Sequence, residues 1–195
     1  MVKYVNMLSE YVKGGYIMKK ALIVVDYQND FVDGSLGFLQ SENIAPEIYS
    51  LVLKAVREKD LVIFTKDTHY ENYLSTREGK FLPVKHCIKG TDGHRLFGEL
   101  AAFEDTINPN VIIVEKETFG SDKLCEIIEE TFNGDPDVIE FCGVVTNICV
   151  LSNVVLCQTK FKNTEIVVHE DATAAVGNMQ MHSLEVLKGL GVKIV

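Results

Sequence analysis

The sequence predicts one α/β domain in which helices cover both faces of a parallel β-sheet. Two observations support this prediction. Short apolar runs rich in β-branched residues, which are typical of strands buried on both faces, alternate along the chain with segments of helical spacing. No repeat, linker or low-complexity segment interrupts the alternation, so residues 18–195 are predicted to form a single domain.

The strands are predicted from their composition. Residues 21–25 read ALIVV and residues 61–64 read LVIF, and both are continuous apolar runs of strand length. Further strand-length runs, apolar at most positions, are found at residues 111–114, 138–141, 165–168 and 192–195. Because helical segments separate the runs, right-handed crossovers should make these strands parallel.

The helices are predicted from the spacing of their apolar residues. Within residues 45–58, apolar side chains recur at positions that share one side of a helix. Further helices are predicted at residues 121–132, 146–160 and 179–189. Residues 70–95 contain Gly, Pro and charged residues without periodicity, which predicts a long loop with a functional role.

Residues 1–17 are predicted to lie outside this fold, as an extension that results from an upstream start. They lack the continuous apolar region and the cleavage site of a secretory signal. Met18-Lys19-Lys20 directly precedes the first strand and resembles a natural start. Lys13-Gly14-Gly15 can be encoded by a purine run of the kind that precedes bacterial start codons.

Composition excludes several classes of partner. The net charge is -9 and no basic cluster is present, so nucleic acids and anionic membranes are not expected partners. No apolar run approaches the roughly 20 residues that span a bilayer. Five cysteines, with no C-x-x-C pair, indicate reduced thiols and a cytoplasmic protein: Cys87, Cys125, Cys142, Cys149 and Cys157.

Reactive side chains follow four of the predicted strands. Asp26 follows the first strand, Asp67 and His69 follow the second, Lys116 follows the third, and Cys149 lies beyond the turn after the fourth. In open α/β sheets, ligands bind at the carboxyl ends of the strands. We therefore expect these side chains to form one site.

Cys149 is the predicted nucleophile. It lies in the first turn of the helix predicted at residues 146–160, where free N–H groups and the helix dipole are expected to lower the pKa of its thiol. Asp26 is a candidate base for the thiol proton, and the ammonium of Lys116 would stabilise the thiolate. The turn at Gly143-Val144-Val145 would direct backbone N–H groups at a developing oxyanion.

A second candidate site is a metal centre. Asp67 and His69 are two residues apart, so they face the same side at a strand end, and His86 follows after the loop. An Asp/His/His set suits Zn, Fe or Mn, and Glu78 is a further candidate ligand, directly or through water. The remaining histidines, at positions 94, 169 and 182, are predicted to be surface or hydrogen-bonded residues.

From about Lys19 to its end, the chain resembles the isochorismatase-like cysteine hydrolases and, within them, the nicotinamidases. The matching segments, in order, are ALIVVDYQNDF, DTH followed by HCIKGT, EKETFGSD and CGVVTNICV. The resemblance implies a three-layer α/β/α sandwich around a six-stranded parallel sheet, and a homo-oligomer.

The resemblance also implies roles for the reactive residues. Asp26 would be the proton shuttle, Lys116 its electrostatic partner and Cys149 the nucleophile. A cis peptide bond between Val144 and Val145 would help to form an oxyanion hole from the N–H groups of Val145 and Cys149.

In the nicotinamidase branch, residues that match Asp67, His69 and His86 hold a divalent metal ion that orients the pyridine nitrogen. Glu78 matches a carboxylate ligand that some members have. The cofactor implied for this chain is one divalent ion, with Zn expected ahead of Fe or Mn.

The implied activity is hydrolysis of a small carboxamide to an acid and ammonia through a thioester. The leading case is nicotinamide to nicotinate, in NAD salvage, with Phe31 and Phe119 matching aromatic positions near the substrate ring. Isochorismatase itself is disfavoured, since those enzymes lack a cysteine at the position of Cys149. One alternative is a related hydrolase that acts on a carbamoyl, ureido or other small amide. Another is a noncatalytic ligand-binding or thiol redox protein on the same scaffold.

Overall fold

The computed structural model describes residues 12–13 and 16–195 of the chain. Strand β1 (Val12–Lys13) pairs antiparallel with β2 (Tyr16–Ile17) in a small sheet of its own. Most of the predicted extension, namely residues 1–11 and 14–15, lies outside the described residues.

The main sheet has six parallel strands, as the sequence predicts. Their order in the sheet is β5-β4-β3-β6-β7-β8. The chain runs outward from β3 to β5 and then returns to the other side of β3, which makes the carboxyl end of β3 a topological switch point. The strands are β3 (Lys20–Val25), β4 (Leu61–Asp67), β5 (Val111–Lys116), β6 (Val138–Val144), β7 (Glu165–Ala174) and β8 (Lys193–Ile194).

Within residues 16–195, eight α-helices connect and cover the strands. They are α1 (Asn29–Val32), α2 (Leu39–Asn43), α3 (Ala45–Glu58), α4 (Arg77–Phe81), α5 (Ala102–Asp105), α6 (Asp122–Phe132), α7 (Leu151–Lys160) and α8 (Met179–Gly189). Short 3₁₀ turns are found at Tyr73–Ser75, Asp92–His94 and Gly98–Ala101. Among the described residues, no helix combines the length and the apolar character needed to span a membrane.

Two hydrophobic cores, one on each face of the sheet, confirm the predicted three layers. On one face, side chains of α6, α7 and α8 pack against the strands, with Leu124, Val154 and Leu187 at their centre. On the other face, Ile48 and Val52 of α3 pack against the opposite side of the same strands. Both sides of each central strand are therefore buried, which explains the continuous apolar runs in the sequence.

The strands extend further than the apolar runs predict. Strand β4 continues through Thr65, Lys66 and Asp67, and all three side chains are buried. Each of these polar side chains has a partner from a distant part of the chain, so it can lie in a strand without loss of hydrogen bonds. Residues 70–95, predicted as a loop, contain α4 and two of the 3₁₀ turns, all too short to give a periodic pattern.

Candidate active site

The reactive side chains converge at the carboxyl ends of four adjacent strands. Asp26 directly follows β3, Asp67 and Lys116 end β4 and β5, and Cys149 lies beyond the turn after β6. Lys116 is central, because its Nζ atom lies 2.6 Å from Asp26 Oδ2, 3.9 Å from Cys149 Sγ and 3.5 Å from Asp67 Oδ1. All four residues are buried.

Asp26 is held in a fixed orientation. Its backbone has a φ of 47°, and its N–H group donates to the Thr65 carbonyl at 3.1 Å. The Thr65 hydroxyl donates to Asp26 Oδ1 at 2.7 Å, while Oδ2 faces Lys116. The two carboxylate oxygens therefore have separate partners, and the carboxylate cannot rotate without the loss of one of them.

Burial and neighbouring charges have opposite effects on the pKa values of Asp26 and Lys116. Burial raises the pKa of Asp26, although the charge of Lys116 opposes the increase. Burial lowers the pKa of Lys116, but the neighbouring carboxylates of Asp26 and Asp67, together with Cys149, more than offset this, so the pKa is raised overall. The ammonium therefore keeps its proton, and Asp26 has the raised pKa that suits a group exchanging protons.

The prediction of a lowered thiol pKa is wrong for Cys149. Burial raises its pKa well above the ordinary value, and the charge of Lys116 does not compensate for this and for the nearby carboxylates Asp26 and Asp67. The thiol keeps its proton and hydrogen-bonds to Asp26. A reaction at this sulfur therefore needs the proton to be transferred, and Asp26 is the adjacent acceptor.

The start of the Cys149 helix also differs from the prediction. Residues Thr146–Val150 form a wide π-helical turn, in which the Val150 N–H donates to the Val145 carbonyl at 3.2 Å, and α7 begins only at Leu151. Such turns in helices are often found at functional sites.

The turn before Cys149 depends on a glycine. Gly143 has a φ of 105°, and a Cβ atom at this position would lie 2.1 Å from the Val25 carbonyl oxygen. The following peptide bond, between Val144 and Val145, is cis. The backbone of β6 can therefore pass close to β3 and bring Cys149 over the end of the central strand.

Four side chains form the second part of the site. One ligand atom from each of Asp67, His69, Glu78 and His86 lies within 4.8 Å of every other. The Nε2 atom of His69 is 3.0 Å from Asp67 Oδ2 and 3.5 Å from Glu78 Oε1, and His86 Nε2 is 3.3 Å and 3.8 Å from the same two atoms. Two imidazoles and two carboxylates therefore point at one small volume.

The chemistry of this set fits a divalent cation. His86 Nδ1 lies 2.8 Å from the Val84 carbonyl, which can only accept a hydrogen bond, so in the neutral ring Nε2 presents a lone pair to the carboxylates. Burial lowers the pKa of His69, but the carboxylates of Asp67 and Glu78 raise it to about 9. The group thus attracts positive charge, and its nitrogen and oxygen ligands suit Zn, Fe or Mn.

Asp67 links the two parts of the site. Its Oδ1 atom faces Lys116, whereas Oδ2 faces both imidazoles. Gln28 fixes its backbone, since the Gln28 amide donates to the Asp67 carbonyl at 2.9 Å and accepts from the Asp67 N–H at 2.7 Å. The thiol centre and the candidate metal centre are therefore held in a fixed relation.

A model of the isochorismatase domain family matches residues 20–195. The chain belongs to the isochorismatase family. A curated relative, described as the uncharacterized isochorismatase family protein PncA of Bacillus subtilis strain 168, is 34% identical over 175 residues, which cover 85% of this chain and 91% of the relative.

Solved structures of the isochorismatase family agree with this fold. Nicotinamidase PncA from Bacillus subtilis has a TM-score of 0.81 and 28% identity, with 91% of this chain and 99% of that chain covered. The pyrazinamidase of Pyrococcus horikoshii in complex with zinc has a TM-score of 0.76 and 26% identity, with 91% and 98% covered. The chain is a hydrolase of amide carbon–nitrogen bonds, in the nicotinamidase branch of the family.

Two aromatic side chains, those of Phe31 and Tyr73, contact the imidazoles of the candidate metal group. The Phe31 ring lies 5.4 Å from the His86 ring, between centroids, whereas Phe119 lies on the connection before α6 and is 38% exposed. Tyr73, which the sequence did not single out, lies 4.5 Å from the His69 ring. A cavity of about 250 Å³ is lined by His69, Tyr70, Asn72, Tyr73, Thr76, Arg77, Glu78, Glu117 and Thr118, so it includes neither phenylalanine.

Two amides that sequence reasoning missed support the Cys149 segment of the isochorismatase-family site. Asn153 donates to the Cys149 carbonyl at 2.8 Å and accepts from the Ser121 N–H at 3.0 Å. Gln180 accepts from the Thr146 hydroxyl at 2.7 Å and donates to the Thr173 carbonyl at 3.1 Å. Neither amide belongs to a recognisable motif, because each acts on a distant part of the chain.

Proposed function

We propose that this chain hydrolyses nicotinamide to nicotinate and ammonia through a thioester on Cys149. One observation carries the proposal: the Lys116 ammonium contacts the Asp26 carboxylate and the Cys149 thiol, and also contacts a carboxylate of the candidate metal group. A nucleophile with its proton acceptor thus lies beside a site that can bind a heteroaromatic ring. The similarity to a Bacillus subtilis nicotinamidase supports the choice of substrate.

The first half-reaction forms the thioester. Asp26 takes the Cys149 proton as the sulfur attacks the carboxamide carbon, and Lys116 stabilises the negative charge that develops in the site. Backbone N–H groups of Val145 and Cys149 are proposed to hold the oxyanion. When the tetrahedral intermediate collapses, the carbon–nitrogen bond breaks and Asp26 returns its proton to the departing ammonia.

The second half-reaction restores the thiol. Asp26 takes a proton from a water molecule as the oxygen attacks the thioester carbon. The carbon–sulfur bond then breaks and Asp26 returns the proton to Cys149. The product leaves as nicotinic acid, which loses its carboxyl proton to water and becomes nicotinate. The raised pKa of Asp26 suits this role, since the same carboxyl group must accept and release a proton in each half-reaction.

The candidate metal group is assigned to substrate binding. Its four residues, Asp67, His69, Glu78 and His86, would hold one divalent ion, which we expect to be zinc. Such an ion would supply a Lewis acid for the pyridine nitrogen of nicotinamide. Phe31, beside the His86 ring, is proposed to pack against the substrate ring, and Phe119 to cover it.

Ammonia release from nicotinamide by the metal-loaded protein tests the proposal. The wild type should turn over, and Cys149→Ala should reduce kcat by about 10⁴-fold or more, because the nucleophile is lost. Cys157→Ala, the same change further along this segment in α7, serves as the matched control and should remain active. A peptide carrying Cys149 with the mass of one added acyl group, trapped by acid quench, would identify the thioester.

Absence of ammonia from folded, metal-loaded wild type would remove nicotinamide as the substrate. Carbamoyl and ureido compounds would then be screened with the same assay. Activity in Cys149→Ala equal to that of Cys157→Ala would instead remove the thioester mechanism.

Three further statements belong to this proposal. Residues 18–195 would form the catalytic unit, and the protein would act in NAD salvage in the cytoplasm. The active form would be a homo-oligomer, which stays a prediction that light scattering can test.

A further inference from the structure

Two cysteines outside the active site face each other between α6 and α7. The Sγ atoms of Cys125 and Cys157 are 3.8 Å apart, which is within hydrogen-bond distance for sulfur. Both side chains belong to the core on one face of the sheet, and Cys125 is 8% exposed whereas Cys157 is fully buried. Among the described residues, these are the two thiols for which such a sulfur–sulfur contact is found.

The two thiols have different local environments. The hydrogen bond with Cys157 lowers the pKa of Cys125, and the charge of Lys160 contributes in the same direction. The pKa of Cys157 is raised by the same hydrogen bond and by burial. Cys125 is thus the more exposed residue of the pair and the better thiolate, and either sulfur can donate the hydrogen bond between them.

The other thiols of the chain have different surroundings. Burial raises the pKa of Cys87, whose sulfur lies 4.0 Å from the Gly93 carbonyl. Burial also raises the pKa of Cys142, which lies in the central strand β6. Cys149 is 5% exposed, but its sulfur already contacts Lys116 and Asp26.

We propose that Cys125 and Cys157 form a redox-active dithiol that closes to a disulfide when hydrogen peroxide is supplied. A small oxidant is chosen because only a limited part of Cys125 is accessible. This site is independent of amide hydrolysis and is not required for it.

The oxidation has two steps. The Cys125 thiolate attacks one oxygen of hydrogen peroxide, the O–O bond breaks, and the leaving hydroxide takes a proton to become water, which leaves a sulfenic acid on Cys125. The Cys157 sulfur then attacks the Cys125 sulfur, the S–O bond breaks, and the second water leaves with the Cys157 proton. Overall, two thiols and one peroxide give one disulfide and two waters.

The new bond would join two helices that already share a contact. Asn153 of α7 accepts from the N–H of Ser121, the residue before α6, so these two helices are tied together at one end. The sulfur atoms need to approach from 3.8 Å to about 2.05 Å, a shift that side-chain rotation can supply in part. Cross-linking across 32 residues should raise Tm by roughly 5 °C.

The test maps the bond in the full-length protein. Wild type is treated with peroxide, its remaining thiols are alkylated, and the protein is cleaved after glutamate. Trypsin is unsuitable because no cleavage site lies between Lys123 and Lys160, which bracket four of the five cysteines. We expect a peptide of residues 118–126 joined to one of residues 141–165, and its loss on treatment with dithiothreitol.

Variants identify the two sulfurs. The cross-link should be absent in Cys157→Ser and retained in Cys142→Ala, the matched control on the same peptide of residues 141–165. In Cys157→Ser, a sulfenic-acid reagent should label Cys125. A cross-link that persists in Cys157→Ser would overturn the proposal, and so would wild type in which Cys149 is oxidised and no cross-link forms. Fragmentation of the wild-type cross-linked pair shows which of Cys142, Cys149 and Cys157 is bonded to Cys125, so it decides the question even if a variant fails to fold.

Discussion

The central strands of the sheet have a charged cluster at each end, and the two clusters contain similar groups. Towards the amino-terminal ends, Lys20 Nζ lies 2.8 Å from Glu140 Oε1 and 3.8 Å from Asp60 Oδ2, and His169 Nε2 lies 2.8 Å from Glu140 Oε2. We call these four residues the basal cluster. The active site at the other end likewise combines an ammonium, carboxylates and imidazole.

The two clusters differ in burial. Side chains of the basal cluster are 14–20% exposed, whereas those of Asp26, Asp67 and Lys116 are 0–5% exposed. In each cluster one carboxyl has a raised pKa and another a lowered one. Burial raises the pKa of Asp60 to about 6, whereas His169 and Lys20 overcome the effect of burial and lower that of Glu140 to about 2.

Because the two clusters differ in burial, similar charged groups have different roles in them. Water can partly screen the basal cluster, so its ion pairs need little further compensation. The buried active-site charges are compensated by one another or by a ligand. Removal of one charge therefore leaves a neighbouring charge buried without compensation. The nearby thiol and the set of four metal-type ligands then give the buried cluster its chemistry.

Removal of the two ammonium groups should give the largest difference between the clusters. Lys116→Met leaves buried carboxylates unpaired and should lower the free energy of unfolding by about 3–5 kcal/mol. Lys20→Met removes a partly exposed pair and should cost about 1 kcal/mol or less. Urea denaturation measures both values, and equal losses would contradict the comparison. Ammonia release should be lost in the Lys116 variant alone.

Removal of one imidazole from each cluster should separate their metal binding. His86→Ala should weaken zinc affinity about tenfold or more, since a ligand is lost, whereas His169→Ala should leave it unchanged. Elemental analysis after dialysis against limiting zinc gives the metal content of each variant. Zinc should also raise Tm in wild type and in His169→Ala but less in His86→Ala. Equal metal content in the two variants would argue against the assigned ligands.

Substitution of Gln180, an uncharged residue, tests whether the positioning of the Cys149 turn affects catalysis. Gln180→Ala removes the acceptor for Thr146, at the start of the turn that carries Cys149, and should lower kcat about tenfold with little change in KM. Gln180→Glu keeps that acceptor but loses the donor to the Thr173 carbonyl, so its kcat should lie between those of wild type and Gln180→Ala. Gln158→Ala, which removes an exposed amide bonded to the Leu190 carbonyl, is the control. Equal kcat in the Gln180→Ala and Gln158→Ala variants would show that Gln180 is not a positioning residue.

The smallest effect is expected from substitution of Asp60, the residue of the basal cluster whose carboxyl pKa is raised. The folded-state pKa of Asp60, about 6, exceeds its ordinary value of 3.8, so this group makes the fold less stable as pH rises between those values. Asp60→Asn avoids that loss and should raise Tm by about 2 °C at pH 7.5 and by nothing measurable at pH 3.5. Scanning calorimetry at both values checks this, with the exposed Glu71→Gln as control. A gain of equal size at both pH values would contradict the assigned pKa.

The parts of the fold that follow from local patterns were predictable. The helices at 45–58 and 179–189 have the predicted limits, because they are amphipathic and end where their apolar spacing ends. The ends of β4 and β7 were not predictable from apolar runs, because distant partners allow polar residues such as Thr65 to be buried in a strand.

The site was predictable in its composition but not in its electrostatics. The positions of Asp26, Lys116 and Cys149 after successive strands predict that they lie close together. In the structure, Lys116 contacts both Asp26 and Cys149. The position of Cys149 near the start of a helix predicts a lowered pKa, but burial has the larger effect and raises the pKa. Gln180 was missed because a single amide carries no pattern, and its partner Thr146 is 34 residues away.

The candidate metal ligands and the thiol come from different parts of the chain. His69, Glu78 and His86 all belong to the connection between β4 and β5, whereas Cys149 follows β6 on the other side of the switch point. Replacement of that one connection would remove three of the four candidate metal ligands and leave the thiol, its base and the turn before it untouched. With the proposed roles, recombination of this single segment would exchange the substrate-binding group and leave the proposed nucleophile and base in place.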